Sequence, residues 1–130
     1  MGNIANYAVE TQIQVVSSVG ASCFGITTRG SSAGRYTAGV GSCFNVLDTA
    51  YLAGPGYSND SNKSNVSFDP SKGTHTYRVE VSGNVMKFLI DGTPTLSLTD
   101  NRYLTGTQVG LWSKNVQLQV TSFKVLLPLS

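Results

Sequence analysis

The sequence predicts an all-β protein, a sandwich of two antiparallel sheets. Many short stretches alternate apolar and polar residues with the period of two that a strand with one buried face requires. Turn signals rich in Gly, Ser, Asn and Asp separate these stretches at intervals of roughly ten residues. No segment keeps the three-and-four spacing of apolar residues over the length that a stable helix needs. We therefore expect about nine strands and almost no helix.

The stretch from His75 to Val125 carries the clearest of these patterns. Residues 75–82 alternate, and Ser82-Gly83-Asn84 supplies the positive-φ residues of a tight reversal into a return strand. Asp91-Gly92 is a second hairpin signal. The strands predicted after these turns are Val85 to Ile90, Thr95 to Thr99 and Val109 to Trp112. Together they form an antiparallel meander that needs a second sheet to pack on.

The rest of the chain predicts that second sheet and one long loop. An alternating apolar set indicates a first strand, with its buried face formed by Tyr7, Val9, Thr11, Ile13 and Val15. Further strands are predicted at Ala21 to Thr28, Arg35 to Val40 and Cys43 to Leu47. The segment from Tyr51 to Asn65 has no period and indicates a long surface loop. A last strand runs from Val116 to Leu127, and a β-bulge near Thr121-Ser122 would reconcile its two apolar phases.

The overall composition indicates the number of domains and excludes some classes of partner. The 130 residues fit one domain, 1–130, and 40% hydrophobic with only 12% charged residues suits an extracellular β-protein. The net charge is only +2 and no run of Lys or Arg occurs, so the sequence does not predict a basic surface for nucleic acid or for an anionic membrane. No apolar run approaches the ~20 residues of a transmembrane helix, and no signal peptide pattern is present.

The cysteines and the tryptophan help to choose between sandwich types. Trp112 follows both Cys23 and Cys43, so the Cys-Trp-Cys order of an immunoglobulin domain is absent and a jelly roll is favoured. If the hairpin turns about Ala33, the two cysteines fall opposite each other and a disulfide becomes feasible. The alternative is two small buried thiols, because the Gly41-Ser42 break could displace Cys43.

The turn and core motifs resemble those of a known superfamily. The run from Thr76 to Asn84, then Phe88 to Gly92, Thr99-Asp100 and Val109 to Trp112, is similar to the C-terminal half of concanavalin A-like lectin/glucanase domains, and most of all to the laminin G-like branch. Tyr7 to Gln14 and Phe24-Gly25-Ile26 look like the central strands of that superfamily in the right order. The resemblance implies a concanavalin A-like jelly roll in a secreted or cell-surface protein that binds sugars, hydrolyses them or serves a structural role.

Hydrolases of this superfamily place two catalytic carboxylates on one strand, close together as retaining chemistry requires. The chain has only two glutamates, Glu10 and Glu80, and neither has an acidic neighbour two or four residues away. We therefore expect that the protein is not an enzyme. His75 is the only histidine, and we interpret it as a strand residue near a loop rather than a member of a triad or a zinc site.

A glycan or polysaccharide is the expected partner. Sugar binding needs aromatic faces and planar polar groups on a rigid surface. The resemblance places the candidate ligand-binding residues on a concave polar face: Glu10, Gln12, Arg29, Tyr36 and Trp112. Tyr36 and Trp112 could equally be core aromatics, and Glu10 with Arg29 could be only a cross-strand ion pair. Tyr51 and Tyr57 in the predicted loop are a second candidate for the rim of a sugar-binding surface.

No cofactor is expected. Calcium is the one metal to consider, but Asp48, Asp60, Asp69, Asp91 and Asp100 are scattered, without a ligand-rich loop of the required spacing. Three N-glycosylation patterns begin at Asn59, Asn62 and Asn65, where an Asn/Ser-rich stretch produces the pattern easily by chance.

The start of the chain suggests a second function. Domains of the resembled superfamily usually carry a further strand before the one that begins here at Tyr7, and that strand pairs beside the C-terminal one. Either the domain is minimal, or a sheet edge is left open as a pairing surface for another copy. The sequence thus predicts a non-catalytic carbohydrate-binding module, with a structural, self-assembling domain that forms homo-oligomers by edge pairing as the alternative.

Overall fold

The structure is a computed structural model that describes residues 6–43, 48–54 and 63–127. Within these ranges the chain forms eight strands, all paired antiparallel, and no helix that could cross a membrane occurs there. The strands are β1 (Tyr7–Ser31), β2 (Gly34–Gly41), β3 (Thr49–Ala53), β4 (Lys63–Ser67), β5 (Thr74–Ser82), β6 (Val85–Ile90), β7 (Thr93–Thr99) and β8 (Gln108–Leu126). The prediction of an all-β sandwich is confirmed.

Two long strands, β1 and β8, run through both layers of the sandwich. Residues 7–14 of β1 pair with β5, and residues 23–31 pair with β2, while β8 pairs with both halves of β1 from the other side. The strand order in sheet I is therefore β4-β3-β2-β1-β8, and in sheet II it is β7-β6-β5-β1-β8. The far strands of the two sheets pack together, since β3 and β4 contact β7.

The two sheets meet where β1 and β8 bend. Gly20 and Asn115 have φ values of 64° and 56°, in the left-handed region that Gly and Asn tolerate best. The β1–β8 register shifts between Ser18 and Cys23, and the Asn115 side chain donates a hydrogen bond of 2.9 Å to the Ala21 carbonyl. The sequence predicted two separate strands here. The prediction was wrong because β1 continues as one strand through the bend at Gly20, where a single left-handed residue changes its direction.

The core lies between the sheets and follows the predicted alternation. Tyr7, Val9, Thr11 and Ile13 are all buried on β1. Opposite them, sheet II contributes apolar residues that are each less than a tenth exposed, namely Tyr77, Val79, Val81, Met86, Phe88 and Ile90. Sheet I contributes Phe24, Ile26, Tyr36, Ala38, Val40 and Leu52. Burial of about twenty such side chains supplies most of the driving force for folding.

The tight turns of the meander are also as predicted. β5 and β6 are joined at Gly83, which has a φ of 57°, and β6 and β7 at Asp91 and Gly92, with φ values of 53° and 82°. The predicted bulge is at Thr121, since Ser122 lies opposite Gln12 while Val120 lies opposite Ile13.

The predicted loop from Tyr51 to Asn65 is partly wrong, because it overlaps β3 and β4. All five residues of β3 are buried, so this strand shows no alternation to detect. β4 is a polar strand at the edge of sheet I, and its Asn65 is exposed. Tyr57, the motifs at Asn59 and Asn62, and residues 44–47 of the strand predicted from Cys43 lie outside the described residues.

The two cysteines form a disulfide. Cys23 lies opposite Gly41 in the β1–β2 ladder, and Cys43 follows two residues later, with 5.7 Å between the two Cα atoms. Beside the disulfide, the Ser42 amide donates a hydrogen bond of 2.8 Å to the Ser22 carbonyl. The end of β2 is therefore held covalently and by the backbone to the middle of β1.

Candidate functional site

The five candidate ligand-binding residues do not form one surface. Glu10 and Gln12 lie on β1 in the phase opposite to the core, so they face outward from sheet II. Trp112 lies opposite Gly25, on the outer face of sheet I. Because the outer faces of a sandwich lie on opposite sides, these three residues cannot bind one sugar together.

Arg29 does not line a groove, so its predicted place on an open polar face was wrong. Its φ of 48° and the register shift between Thr28 and Ser31 turn its side chain inward, where it is fully buried. The guanidinium donates hydrogen bonds to the Gly83 carbonyl and, at 3.5 Å, to the Asn6 side chain. Burial lowers the pKa of the Arg29 guanidinium. The residue joins the end of β1 to the β5–β6 turn.

Tyr36 is also fully buried and cannot stack on a sugar. It shares the phase of Ala38, and its hydroxyl donates a 2.7 Å hydrogen bond to the carboxylate of the buried Asp100. The same hydroxyl accepts a 2.9 Å hydrogen bond from the Tyr103 amide. Burial raises the pKa of Tyr36 to about 12. The core-aromatic alternative considered for Tyr36 is therefore correct.

Glu10 is part of an ion-pair network on the outer face of sheet II. Its carboxylate pairs with Arg78 at 3.2 Å, and Arg78 also binds Glu80 at 2.8 Å, so the pair expected with Arg29 does not form. The hydrogen bond to Glu80, and the weaker one to Glu10, raise the pKa of Arg78. Gln12 makes only long hydrogen bonds, to Thr76 and Thr121. Among the described residues around Glu10 on this face, the neighbouring side chains are polar: Arg78, Glu80, Gln12 and Thr76.

Trp112 is half-buried beside Tyr51 on the outer face of sheet I, with 6.5 Å between the two ring centroids. The floor below is made of glycine, since Gly25 lies opposite Gly39 in the ladder. A Cβ on Gly39 would lie 2.5 Å from the Tyr51 hydroxyl oxygen, so the ring needs glycine there. Tyr51 itself is only 5% exposed, which leaves little aromatic surface for a sugar to cover.

His75 lies on β5, near the loop before it, as predicted. Its Nδ1 is 2.6 Å from the Asp91 carboxylate, which also accepts a hydrogen bond from the Thr76 amide. Burial alone would raise the pKa of Asp91, but these two hydrogen bonds outweigh burial and lower it. The pair stabilises the hairpin at Asp91-Gly92.

Among the described residues, no group of three or more His, Cys, Asp or Glu side chains could hold a metal. Asp91 is engaged by His75, and Asp100 by Tyr36 and by Arg102 at 2.6 Å. Asp60 lies outside the described ranges. The expectation of no cofactor, with calcium as the one metal to consider, stays a prediction.

Among the residues that the structure describes, a pocket lies inside the bend of β1 and β8. Its volume is about 340 Å³, within the range of small-molecule sites. Its described walls come from the bend, the end of β2, the residue before β3 and the β4–β5 connection, and include Val15, Ser18, Gly20, Ser22, Phe24, Gly41, Ser42, Asp48, Pro70, Ser71 and Val116. We call this the bend pocket.

The chemistry of the bend pocket is hydroxyl-rich with one carboxylate. Ser18, Ser22, Ser42 and Ser71 bring four hydroxyls to its walls, and Asp48 is its one acidic residue among the lining residues the structure describes. Burial, and then the negative charge of Asp69, raise the pKa of Asp48. Such a carboxylate gains from any hydrogen bond that a ligand donates to it.

The apolar part of the bend pocket comes from the core. Phe24 and Val15 belong to the buried sets of the two halves of β1, and Val116 packs against the same core from β8. The pocket therefore has an apolar floor below a polar rim. The sequence pattern did not indicate this pocket, because its residues come from separate segments and serines are common in surface turns.

Comparison with known proteins agrees with this architecture. The sequence profile of the family described as "Glycosyl hydrolases family 16" matches residues 39–123. No curated protein sequence matches the chain. The predicted membership of the concanavalin A-like lectin/glucanase superfamily is confirmed, whereas the laminin G-like branch stays a prediction.

Solved structures with the same fold include binding proteins and enzymes. The carbohydrate binding module CBM66 from Bacillus subtilis is 14% identical with a TM-score of 0.69, over 94% of this chain and 75% of that one. Sheep galectin-11 is 11% identical with a TM-score of 0.63, over 97% and 93%. A Bacteroides ovatus family 16 enzyme for mixed-linkage glucan is 13% identical with a TM-score of 0.66, over 94% and 70%. With two thirds of its residues matched by the profile, the chain belongs to glycosyl hydrolases family 16.

Proposed function

We propose that the protein is a non-catalytic glycan-binding domain that holds a neutral sugar residue in the bend pocket. The observation that carries this proposal is a cavity of about 340 Å³ with four serines, one carboxylate and an apolar floor. Similarity in fold to a carbohydrate binding module and to galectins supports the choice of ligand class.

The chemistry of the pocket suits a sugar ring. Hydroxyl groups of a sugar can donate hydrogen bonds to Asp48 and exchange them with Ser22 and Ser42, while C–H groups contact the partly buried Val15 and Val116. The volume accommodates one monosaccharide unit more readily than a long stretch of polymer. We therefore expect recognition of chain ends or short glycans. The Cys23–Cys43 disulfide supports a secreted or cell-surface location, because disulfides persist in oxidising compartments.

The non-catalytic part of the proposal rests on the glutamates. Retaining hydrolysis needs two carboxyl groups about 5 Å apart, one of which holds its proton. Glu10 and Glu80 lie on the outer face of sheet II, and one guanidinium, that of Arg78, binds both. Both carboxylates are thus engaged by the same guanidinium on an outer face, away from the bend pocket, and neither is placed to act on a sugar bound there.

The first prediction concerns Asp48. Isothermal titration or affinity electrophoresis with a panel of neutral polysaccharides and short glycans would identify a ligand of the wild-type protein. Asp48→Asn should weaken its binding roughly 10- to 100-fold, because a hydrogen bond to a charged group is lost without a change of shape. Glu80→Gln is the matched control, since Glu80 lies on the outer face of sheet II away from the pocket, and should bind as the wild type does. Equal affinity for all three proteins would rule out the pocket as the site.

The second prediction is a pH dependence. The ligand stabilises ionised Asp48, so affinity is complete above the pKa of Asp48 and falls as acid protonates the carboxylate. Because that pKa is raised, the decline should begin above the ordinary value of 3.8. Asp48→Asn should remove the dependence. Titrations from neutral to acid pH would measure it, and an affinity that increases on acidification would contradict it.

Hydrolysis is the second candidate function, and the match to a family of glycosyl hydrolases favours it. The carboxylates at the bend pocket are Asp48, in its wall, and Asp69, in the adjoining β4–β5 connection. Burial and the charge of Asp69 raise the pKa of Asp48, and hydrogen bonds from Ser71 lower the pKa of Asp69. If the protein is a hydrolase, it should release reducing ends from the bound glycan, and Asp69→Asn should abolish that release. Under the main proposal no reducing ends appear.

A further inference from the structure

The described wall of the bend pocket carries a negative charge and no positive one. Asp48 is the acidic residue among the described lining residues, and none of these is Lys, Arg or His. A second carboxylate, that of Asp69, adjoins the wall in the β4–β5 connection. A ligand in the pocket therefore meets an electrostatic field that attracts a cation and repels an anion.

Backbone contacts hold both carboxylates on the same side of the pocket. The Phe68 amide donates a 3.2 Å hydrogen bond to the Asp48 carbonyl, which brings the next residue, Asp69, close to Asp48. The Asp69 carboxylate in turn accepts a 2.9 Å hydrogen bond from the amide of Ser71, a residue of the pocket wall. The protein thus keeps two negative groups near each other before a ligand binds.

Of the two carboxylates, Asp48 has the less favourable surroundings for its charge. Burial, and then the charge of Asp69, raise the pKa of Asp48. Asp69 has compensating neighbours, since hydrogen bonds from Ser71 lower its pKa and the charges of Lys72 and His75 lower it further. An ammonium group beside Asp48 would supply an opposite charge, whereas a ligand carboxylate there would add to the repulsion.

We propose that the bend pocket ranks sugar residues by charge and that Asp48 determines this specificity. A residue with a free ammonium group, as in an amino sugar without an acetyl group, binds most tightly, a neutral residue binds less tightly, and a uronic acid binds least. The inference rests on the proposed function, because it takes the pocket as the sugar site and adds which sugars that site prefers.

The expected preference is moderate. Asp48 is exposed at the rim of the pocket, so water and salt screen its charge. A hydrogen bond between two charged groups in such a place should favour the ammonium over a hydroxyl by about three- to tenfold in affinity. A carboxylate in the same position should lower the affinity by about threefold or more, because like charges then face each other.

Chemical-shift titrations with matched sugars test the inference. The probes are the methyl glycosides of glucose, galactose and mannose, each compared with its amino sugar and with its uronic acid. A pH of about 6 keeps the amine protonated. Within a series that shifts the amides of Ser22 and Ser42, the amino sugar should have the lowest dissociation constant and the uronic acid the highest.

One variant and one change of solvent assign the preference to Asp48. Asp48→Asn should bring the amino sugar and the neutral glycoside to equal affinity, because the amide keeps the shape without the charge. Glu80→Gln is the matched control, since it removes a negative charge from the outer face of sheet II and should preserve the ranking. In the wild type, a rise from about 0.01 M to about 1 M salt should narrow the preference, since it shortens the Debye length roughly tenfold.

The outcomes separate this inference from the function on which it rests. A neutral glycoside that binds in the pocket as tightly as its amino analogue overturns the inference and leaves the proposed function in place. A preference for the amine that Asp48→Asn does not reduce overturns it as well. Binding of amino sugars alone supports the inference and contradicts a neutral ligand. If no sugar of any series shifts the pocket amides, both the inference and the proposed function are overturned.

Discussion

Arg29→Ala is expected to lower the free energy of unfolding by about 3 to 5 kcal/mol. The substitution removes a fully buried side chain and leaves the Gly83 carbonyl without the hydrogen bond that the guanidinium donates to it. It also empties the space between the end of β1 and the β5–β6 turn. Alanine keeps the unfavourable left-handed φ of 48° without the contacts that hold it there.

Urea denaturation at neutral pH would measure this loss. Arg35→Ala is the matched control, because Arg35 is an exposed arginine on the neighbouring strand β2 and its removal should change stability by less than about 0.5 kcal/mol. If Arg29→Ala cost no more than Arg35→Ala, the buried position of Arg29 would be wrong and a surface role would return to consideration.

Loss of the disulfide should have the next largest effect. The bond closes a sequence separation of 20 residues, and the double variant Cys23→Ser/Cys43→Ser should lose about 2 to 4 kcal/mol, or roughly 10 °C in Tm. The variant should also bind glycan more weakly, because Ser22 and Ser42 are chain neighbours of the two cysteines and line the bend pocket.

Calorimetry with and without a thiol reductant would separate the bond from the side chains. Reductant should lower the Tm of the wild-type protein to near that of the double variant and leave the variant unaffected. A wild-type Tm that does not respond to complete reduction would contradict a stabilising role for the bond.

The fold could be predicted because most of the signals that determine it come from residues close together in the sequence. The alternation at Tyr7 to Ile13 and the positive-φ turn residues Gly83, Asp91 and Gly92 each determine structure through neighbours in sequence. The bulge at Thr121 was predicted for the same reason. β3 was missed because it is buried on both faces, which removes the alternation that reveals a strand.

The site could not be predicted in the same way. Arg29 was predicted on an open polar face, and that prediction holds only if the strand stays regular as far as Arg29. A left-handed backbone at Arg29 directs its side chain to the opposite face of the strand. Arginine is not among the residues that favour this conformation, so the sequence does not indicate it. The bend pocket depends on how β1, β2, β8 and the β4–β5 connection meet, which is a property of the tertiary structure.

Family membership suggests hydrolysis, whereas the placement of the two glutamates does not. The chain belongs to a family of glycosyl hydrolases, yet its two glutamates share one arginine on the outer face of sheet II. A sandwich of this kind can keep glycan recognition without catalysis, because binding needs a shaped polar pocket and hydrolysis needs two carboxyl groups in different protonation states.

The most direct test of the proposed function is a map of where a sugar binds. Amide chemical shifts would be followed by two-dimensional NMR while neutral methyl glycosides and short glycans are titrated into the protein. The bend pocket predicts shifts concentrated at Ser18, Ser22, Ser42 and Ser71. Shifts confined to Trp112 or to the Glu10 face, or no shifts with any sugar of the panel, would contradict it.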